Sequence, residues 1–256
     1  MILAIDIGNT NIVIGCIKDQ KILFVERLST NPTQTVLEYA ISFKNALELY
    51  QITPDQISGS IISSVVPPVT NIVKEAIIKI TRQNVMIVGP GVKTGLNILT
   101  DNPAQLGSDL VVDAVAAIAE YPTPLIIFDL GTATTISVVD KKKNYIGGMI
   151  LPGIRVSLDS LVSRTSQLPR ISLDPPKKVI GTNTIDCMKS GVLLGNAACM
   201  DGMIDRIEQE LGEKATVVAT GGMAKIVVPN CQKQIILDDA LLLKGLWLIY
   251  KRNQEK

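Results

Sequence analysis

Two short segments of this chain combine residue types suited to phosphate chemistry. The first is Asp6-Ile7-Gly8-Asn9-Thr10-Asn11, and the second is Asp129-Leu130-Gly131-Thr132-Ala133-Thr134-Thr135. Each follows an apolar run that reads as a strand. A tight turn after a strand exposes consecutive backbone N–H groups. Glycine permits close approach, and small polar side chains add donors, so such a nest suits phosphate oxygens. The aspartates repel phosphate and suit cations instead: Asp6 a hydrated Mg²⁺ that accompanies a nucleotide, Asp129 a cation in the second nest. For either copy alone, an ordinary hairpin turn is the plain alternative. The two copies stand 123 residues apart, nearly half of the 256-residue chain, and each runs on into a hairpin of similar length. That spacing points to an internal duplication.

Two further segments have chemical potential. Thr220-Gly221-Gly222 closes an apolar run, and two glycines let a flat ring lie on the backbone, although a simple turn explains a bare Gly-Gly equally well. Gly107-Ser108-Asp109-Leu110 opens a helical pattern. A carboxylate in the first turn of a helix is favoured by the helix dipole. The preceding Gly-Ser also leaves room there for a substrate, so Asp109 is a candidate base, ahead of Asp113 one turn later. Histidine is absent, which removes His-based triads and His-ligated zinc; a general base must be a carboxylate, Lys, Tyr or Cys.

The elements that must position these residues follow from periodicity. Residues 2–6, 12–17 and 21–28 read as a β-meander with a turn at Asp19-Gln20. Residues 34–50 read as an amphipathic helix with apolar positions Val36, Leu37, Ala40, Ile41 and Leu47. A strand at 61–66 stopped by Pro67-Pro68, a helix at 70–81 and a strand at 85–88 follow. Strands alternating with helices imply a parallel portion of the sheet. A longer helix is expected from Pro103 to Glu120. The strand–Asp–Gly–hairpin pattern then returns from Leu125 to about Ile150. Helices near 153–164 and 184–211, a strand at 215–219 and a last helix at 239–250 complete the reading.

Bulk properties exclude several classes. Net charge is +1, from 25 basic and 24 acidic residues, so neither nucleic acid nor an anionic membrane is favoured as a partner. No stretch has the length and apolarity of a membrane span, and the first residues lack the pattern of a signal peptide. Aromatics are only 4% of the chain, so the core must be Ile, Val, Leu and Ala, which suits a sheet covered by helices. Cys16, Cys187, Cys199 and Cys231 lack Cys-x-x-Cys spacing and read as reduced, mostly buried thiols of a cytoplasmic protein.

In this order, the two Asp-x-Gly loops and Thr220-Gly221-Gly222 resemble the phosphate 1, phosphate 2 and adenosine motifs of the sugar-kinase, Hsp70 and actin superfamily. That resemblance implies an α/β, ribonuclease H-like fold. Two duplicated halves, with two mixed sheets flanked by helices, would surround a nucleotide cleft and divide near 1–118 and 119–256. A narrower resemblance is to the type III pantothenate kinases. It rests on the Asp6–Asn11 loop, Val92-Lys93-Thr94-Gly95-Leu96, Asp101-Asn102-Pro103, Gly107-Ser108-Asp109, Asp129–Thr135, Gly147-Gly148 through Pro152-Gly153, and Gly181-Thr182-Asn183-Thr184 followed by Ser190-Gly191. Together these span about residues 1–225.

The narrower resemblance implies ATP-dependent phosphorylation of pantothenate to 4'-phosphopantothenate, the first step of coenzyme A biosynthesis. By it, Asp6, Ile7, Gly8, Asn9, Thr10, Asn11, Ile12 and Val13 form the first ATP-phosphate loop, and Thr132 also contacts ATP. Gly107, Ser108, Asp109 and Leu110 line the pantothenate site, with Asp109 as general base. Asp129 binds the monovalent cation, K⁺ or NH₄⁺, while Mg²⁺ comes with ATP. Thr184 contacts pantothenate, and in this family it can come from the partner in a homodimer. The Gly147-Gly148 and Pro152-Gly153 pairs read as sheet-end turns without a catalytic role. The sequence departs from the family pattern at Leu110, where an Arg is usual, and at Thr100, where some members carry an aromatic. These departures keep two alternatives open: a kinase of the same fold with another small alcohol substrate, or a nonenzymatic regulatory homologue.

Overall fold

A computed structural model describes residues 1–254. The chain divides into two compact units. The first comprises Met1–Leu96, Asn102–Ala116 and residues 240–254; the second comprises Asn97–Asp101 and Ala117–Asp239. Compared with halves at 1–118 and 119–256, residues 97–101 and 117–118 fall in the later unit and residues 240–254 in the earlier one.

The first unit is built on β1 (Ile2–Ile7), β2 (Asn11–Lys18), β3 (Lys21–Ser29), β4 (Gly59–Ser64) and β5 (Val85–Ile87), in the order β3-β2-β1-β4-β5. The meander is antiparallel, and β4 and β5 are added in parallel. Asp19 and Gln20 both have positive φ, the geometry that matches a two-residue hairpin turn to strand twist. β1 is apolar on both sides because both faces of the sheet are covered. Leu3, Ile5 and Ile7 pack with Tyr39, Phe43 and Leu47 of α1 (Val36–Leu49) and with Val69, Val73 and Ile77 of α2 (Pro67–Thr81). Ile2 and Ala4 pack on the opposite side with Val112 and Val115 of α3 (Ser108–Glu120) and with Leu243, Leu246 and Trp247 of α8 (Leu241–Gln254).

Local chemistry sets the helix ends. Thr35 and Glu38 form a reciprocal capping box at the start of α1. Pro67 and Pro68 do not merely stop β4; they occupy the first positions of α2, where a missing N–H costs nothing and a fixed φ helps. On α1 the buried face keeps the expected Val36, Ala40 and Leu47 but not Leu37 and Ile41. Leu37 and Ile41 point outward, at 57% and 50% exposure, and Tyr39, Ala40, Phe43, Ala46 and Leu47 face the core. The larger aromatic pair decides the rotation, since it removes more apolar surface from water. Pro103 does not begin α3. It opens a single 3-10 turn, Pro103–Gln105, and α3 starts at Ser108.

The second unit is built on β6 (Asn97–Ile98), β7 (Leu125–Leu130), β8 (Ala133–Val139), β9 (Asn144–Pro152), β10 (Thr216–Thr220) and β11 (Ile236–Leu237), in the order β11-β10-β7-β8-β9-β6. β7, β8 and β9 repeat the antiparallel meander of β1, β2 and β3, and β10 joins β7 in parallel as β4 joins β1. Ile126, Phe128, Leu130, Ile136 and Val138 face one core with α4 (Ile154–Arg164), α5 (Thr184–Lys189), α6 (Gly195–Leu211) and α7 (Ala224–Val227). A five-residue π turn, Ser190–Leu194, joins α5 to α6. Gly147 and Gly148 are not sheet-end turns. They lie inside β9 beside a register shift at Val138/Val139, and a Cβ on Gly148 would collide with the carbonyl of Ile136. The thiols are free, but Cys187 and Cys199 are exposed rather than buried, because both lie on the outer side of the α5–α6 segment. Among the described residues, no helix is long and apolar enough to cross a membrane.

Candidate active site

In the first unit, the loop after β1 is held by its own backbone. The Gly8 N–H donates to Asn11 O at 3.0 Å, Thr30 Oγ1 donates to Gly8 O at 2.6 Å, and the Thr30 N–H donates to Thr10 O at 3.0 Å. Asn9, Thr10 and Asn11 are exposed, while the side chains of Ile7 and Ile12 are fully buried. Of the predicted Asp6–Val13 set, those two isoleucines anchor the loop, and Asn9, Thr10 and Asn11 between them face solvent. Asp6 stands at the end of β1, in register with Val13 on β2 and Ser63 on β4.

Ser63 and Ser64 also locate the candidate base. Ser108 Oγ lies 3.0 Å from Ser63 Oγ, accepts from the Ser64 N–H at 3.0 Å and reaches Ser64 O at 3.1 Å. The first residue of α3 is thereby bolted to the end of β4. Asp109 follows, its Oδ1 accepting from the Leu110 N–H at 2.9 Å. Gly107 leaves Asp109 Oδ1 its present place, because a Cβ there would make the carboxyl turn away. Burial pushes the Asp109 carboxyl above its ordinary value, opposed by the N–H groups of Leu110 and of Asp109 itself. A carboxylate raised in this way is a better proton acceptor near neutral pH. The four residues Gly107–Leu110 are thus contiguous, partly exposed and centred on a poised carboxyl.

One turn further along, α3 is fixed by α8. A Cβ on Gly245 would collide with Val112 O, so the two helices touch backbone to backbone. The end of α8 holds the Lys93-Thr94-Gly95-Leu96 segment: Arg252 Nη1 donates to Thr94 O at 2.5 Å, and Asn253 exchanges hydrogen bonds with the Lys93 backbone. The sequence shows the segment but not its support, since Arg252 and Asn253 lie beyond the last helix expected at 239–250.

In the second unit, Asp129 ends β7 in register with Thr135 on β8 and Thr220 on β10. The Gly131 N–H donates to Ala133 O at 3.0 Å, so this turn repeats the first one in a shorter form. Thr132 is exposed at its tip. Two glycines press on the loop. Gly153 donates its N–H to Thr132 O at 3.1 Å, and a Cβ there would collide with the carbonyl of Thr132. Gly221, at φ +92°, leaves no space between its α-carbon and Asp129 Oδ1. The Met223 N–H donates to Leu130 O at 3.2 Å. The Thr220-Gly221-Gly222 turn therefore backs directly onto the Asp129 loop. Gly153, read from sequence as a turn, is a wall of that loop; Pro-Gly before a helix was the signal that marked it.

Thr184 stands at the start of α5. Asn183 caps that helix by accepting from the Asp186 N–H at 3.0 Å. Thr184 lines a cavity of about 400 Å³ with Leu161, Leu168, Cys187, Met188 and Val192.

Three comparisons place this arrangement. The family model described as type III pantothenate kinase matches residues 2–206. A type III pantothenate kinase of Exiguobacterium sp. is 45% identical over 255 residues, covering 100% of both chains. Among solved structures, component A of the (R)-2-hydroxyglutaryl-CoA dehydratase of Acidaminococcus fermentans aligns with a TM-score of 0.60 at 14% identity, over 99% of this chain and 98% of that one. The ROK hexokinase of Thermus thermophilus aligns with a TM-score of 0.51 at 10% identity, over 100% and 99%. These likenesses identify the duplicated sugar-kinase-like fold, and the near-complete relationship in sequence identifies the lineage: the chain belongs to the type III pantothenate kinase family.

Proposed function

We propose that this chain phosphorylates pantothenate with ATP, opening coenzyme A synthesis, and that Asp109 is the general base. The observation that carries the assignment is a half-buried carboxyl with a raised pKa, in the first turn of α3, beside a glycine that leaves its flank open. Asp109 takes the proton of the pantothenate primary hydroxyl. The resulting oxygen attacks the γ-phosphorus, and the bond from that phosphorus to the β-phosphate oxygen breaks to release ADP. Such a transfer depends on positioning and charge neutralisation more than on covalent assistance. The exposed donors at Asn9, Thr10 and Asn11 and the turn at Thr132 suit ATP oxygens, with Mg²⁺ carried by the nucleotide. Gly107, Ser108 and Leu110 line the pantothenate side.

A monovalent cation, K⁺ or NH₄⁺, fits at Asp129: one carboxylate stands between two threonines in register, and glycine backing at Gly221 keeps the side chain from being crowded. When bound, the cation supplies positive charge near the transferring phosphoryl group. We also infer a homodimer acting in the cytoplasm, in which Thr184 serves the partner's pantothenate site. The exposed glycines Gly191 and Gly195, with open space around them, and the exposed Val179 and Ile180 support a covered face there.

The test is ATP-dependent phosphorylation of pantothenate by the purified protein in K⁺ or Na⁺ alone. Product is expected in K⁺, and Asp109→Asn is expected to retain ligand binding while losing turnover by about 10²-fold or more. Wild-type turnover in that variant would remove Asp109 from the mechanism.

A further inference from the structure

The duplication lets the two aspartates be compared position by position. In an antiparallel or parallel ladder, register partners project from the same face of the sheet, with strands about 4.8 Å apart. In the second unit the row across the sheet reads Thr220, Asp129, Thr135. In the first it reads Ser63, Asp6, Val13. The rows therefore differ in the strand that follows each loop: a hydroxyl faces Asp129 where an isopropyl group faces Asp6.

The hydroxyls on the two rows are also used differently. Ser63 is committed to Ser108, 3.0 Å away. Thr135 Oγ1 is shielded from solvent and has no hydrogen-bond partner. A shielded hydroxyl without a partner is costly and asks for an explanation, of which an absent ion is one. The next polar pair on this face, Ser137 and Tyr145, is satisfied internally at 3.2 Å. Thr134 Oγ1 is also without a partner but belongs to the other face of β8, so on this face the unpartnered oxygen is the one next to Asp129. A single carboxylate surrounded by neutral oxygens balances one positive charge rather than two. Among the described residues no group of three or more Asp, Glu, Cys or His could hold a metal ion, which agrees with a site of low charge. Hard cations take such oxygen ligands.

We propose that Thr135 is a further ligand of the cation held at Asp129, its hydroxyl oxygen completing the side of the site that β8 faces. The inference rests on the reading of Asp129 as the cation residue. It also explains why the cation belongs to the second loop: only there does the strand following the turn present an uncommitted oxygen to the aspartate.

Thermal unfolding of the full chain, followed by circular dichroism, tests this with KCl titrated against choline chloride at constant ionic strength. The K⁺ concentration for half-maximal ATP turnover is the second readout. The wild type is expected to melt higher in K⁺ than in choline. Thr135→Ser keeps the oxygen and should keep that response. Thr135→Val keeps the shape without the oxygen and should raise the half-saturating K⁺ concentration about tenfold or more; Thr135→Ala serves the same purpose if the valine variant does not fold. A wild-type K⁺ response that survives unchanged in Thr135→Val or Thr135→Ala overturns the role of Thr135 and leaves Asp129 standing. A wild type indifferent to K⁺ overturns the cation reading of Asp129 and this inference with it.

Discussion

The Asp109 carboxyl is poised by burial and restrained by two backbone N–H groups. Its raised pKa means that the folded protein binds this proton more tightly than the unfolded chain does. Below the ordinary carboxylate pKa both states are protonated and the residue is neutral for stability. As pH rises through the window between the ordinary and the raised value, the folded state loses stability relative to the unfolded state. Replacing Asp109 by Asn removes that penalty. We therefore expect Asp109→Asn to melt higher than the wild type at pH 7 and to match it near pH 3, measured by thermal unfolding at both values. The same substitution is expected to lower turnover if Asp109 is the base, so stability and activity should move in opposite directions at one residue. The position of Asp109 in the first turn of a helix was legible in sequence, although the helix dipole alone favours a carboxylate there. The bonds from Ser108 to Ser63 and Ser64 were not, since they join residues more than forty positions apart.

At the scale of elements, the meanders, the parallel strands and most helices were legible because their apolar periodicity is strong. The failures have physical causes. The face of α1 was misjudged because Leu37 and Ile41 fit the same period as the buried residues, and only the bulk of Tyr39 and Phe43 decides between them. The π turn at Ser190–Leu194 has no period of its own. The glycines were the least legible, because their reason is a neighbouring strand or loop. Gly153 is the clearest case: its lack of a side chain lets the start of α4 sit against the carbonyls of Gly131 and Thr132. We expect Gly153→Ala to displace the second loop and weaken ATP binding about tenfold or more, measured by calorimetry, with little change in overall helix content. An unaltered affinity would mean that the loop tolerates the displacement. Substituting Ala at Thr35, by contrast, should cost only about 1 kcal/mol of stability through the lost capping box.

For the whole molecule, the assignment of α8 to the first unit matters most. Leu243, Leu246, Trp247 and Ile249 are buried, and Gly245 brings the helix against α3, which carries Asp109. Gly245→Val should force α3 and α8 apart, lowering both the melting temperature and kcat, although residue 245 is buried between the two helices. A variant with normal stability and a normal kcat would show that α3 is positioned by Ser108 alone.

The same helix has a consequence for synthesis. A ribosome produces the chain from residue 1 onward at about 5–20 residues per second. The segment 117–239 forms a nearly continuous unit, lacking only residues 97–101, which are already made, so it is free to collapse as soon as it emerges. The earlier-made sheet of β1–β5 must wait for residues 241–254 before the face it shares with α3 is fully covered. The half that is translated first is therefore the half that finishes folding last, and its uncovered apolar face is the surface that a chaperone would meet on the nascent chain.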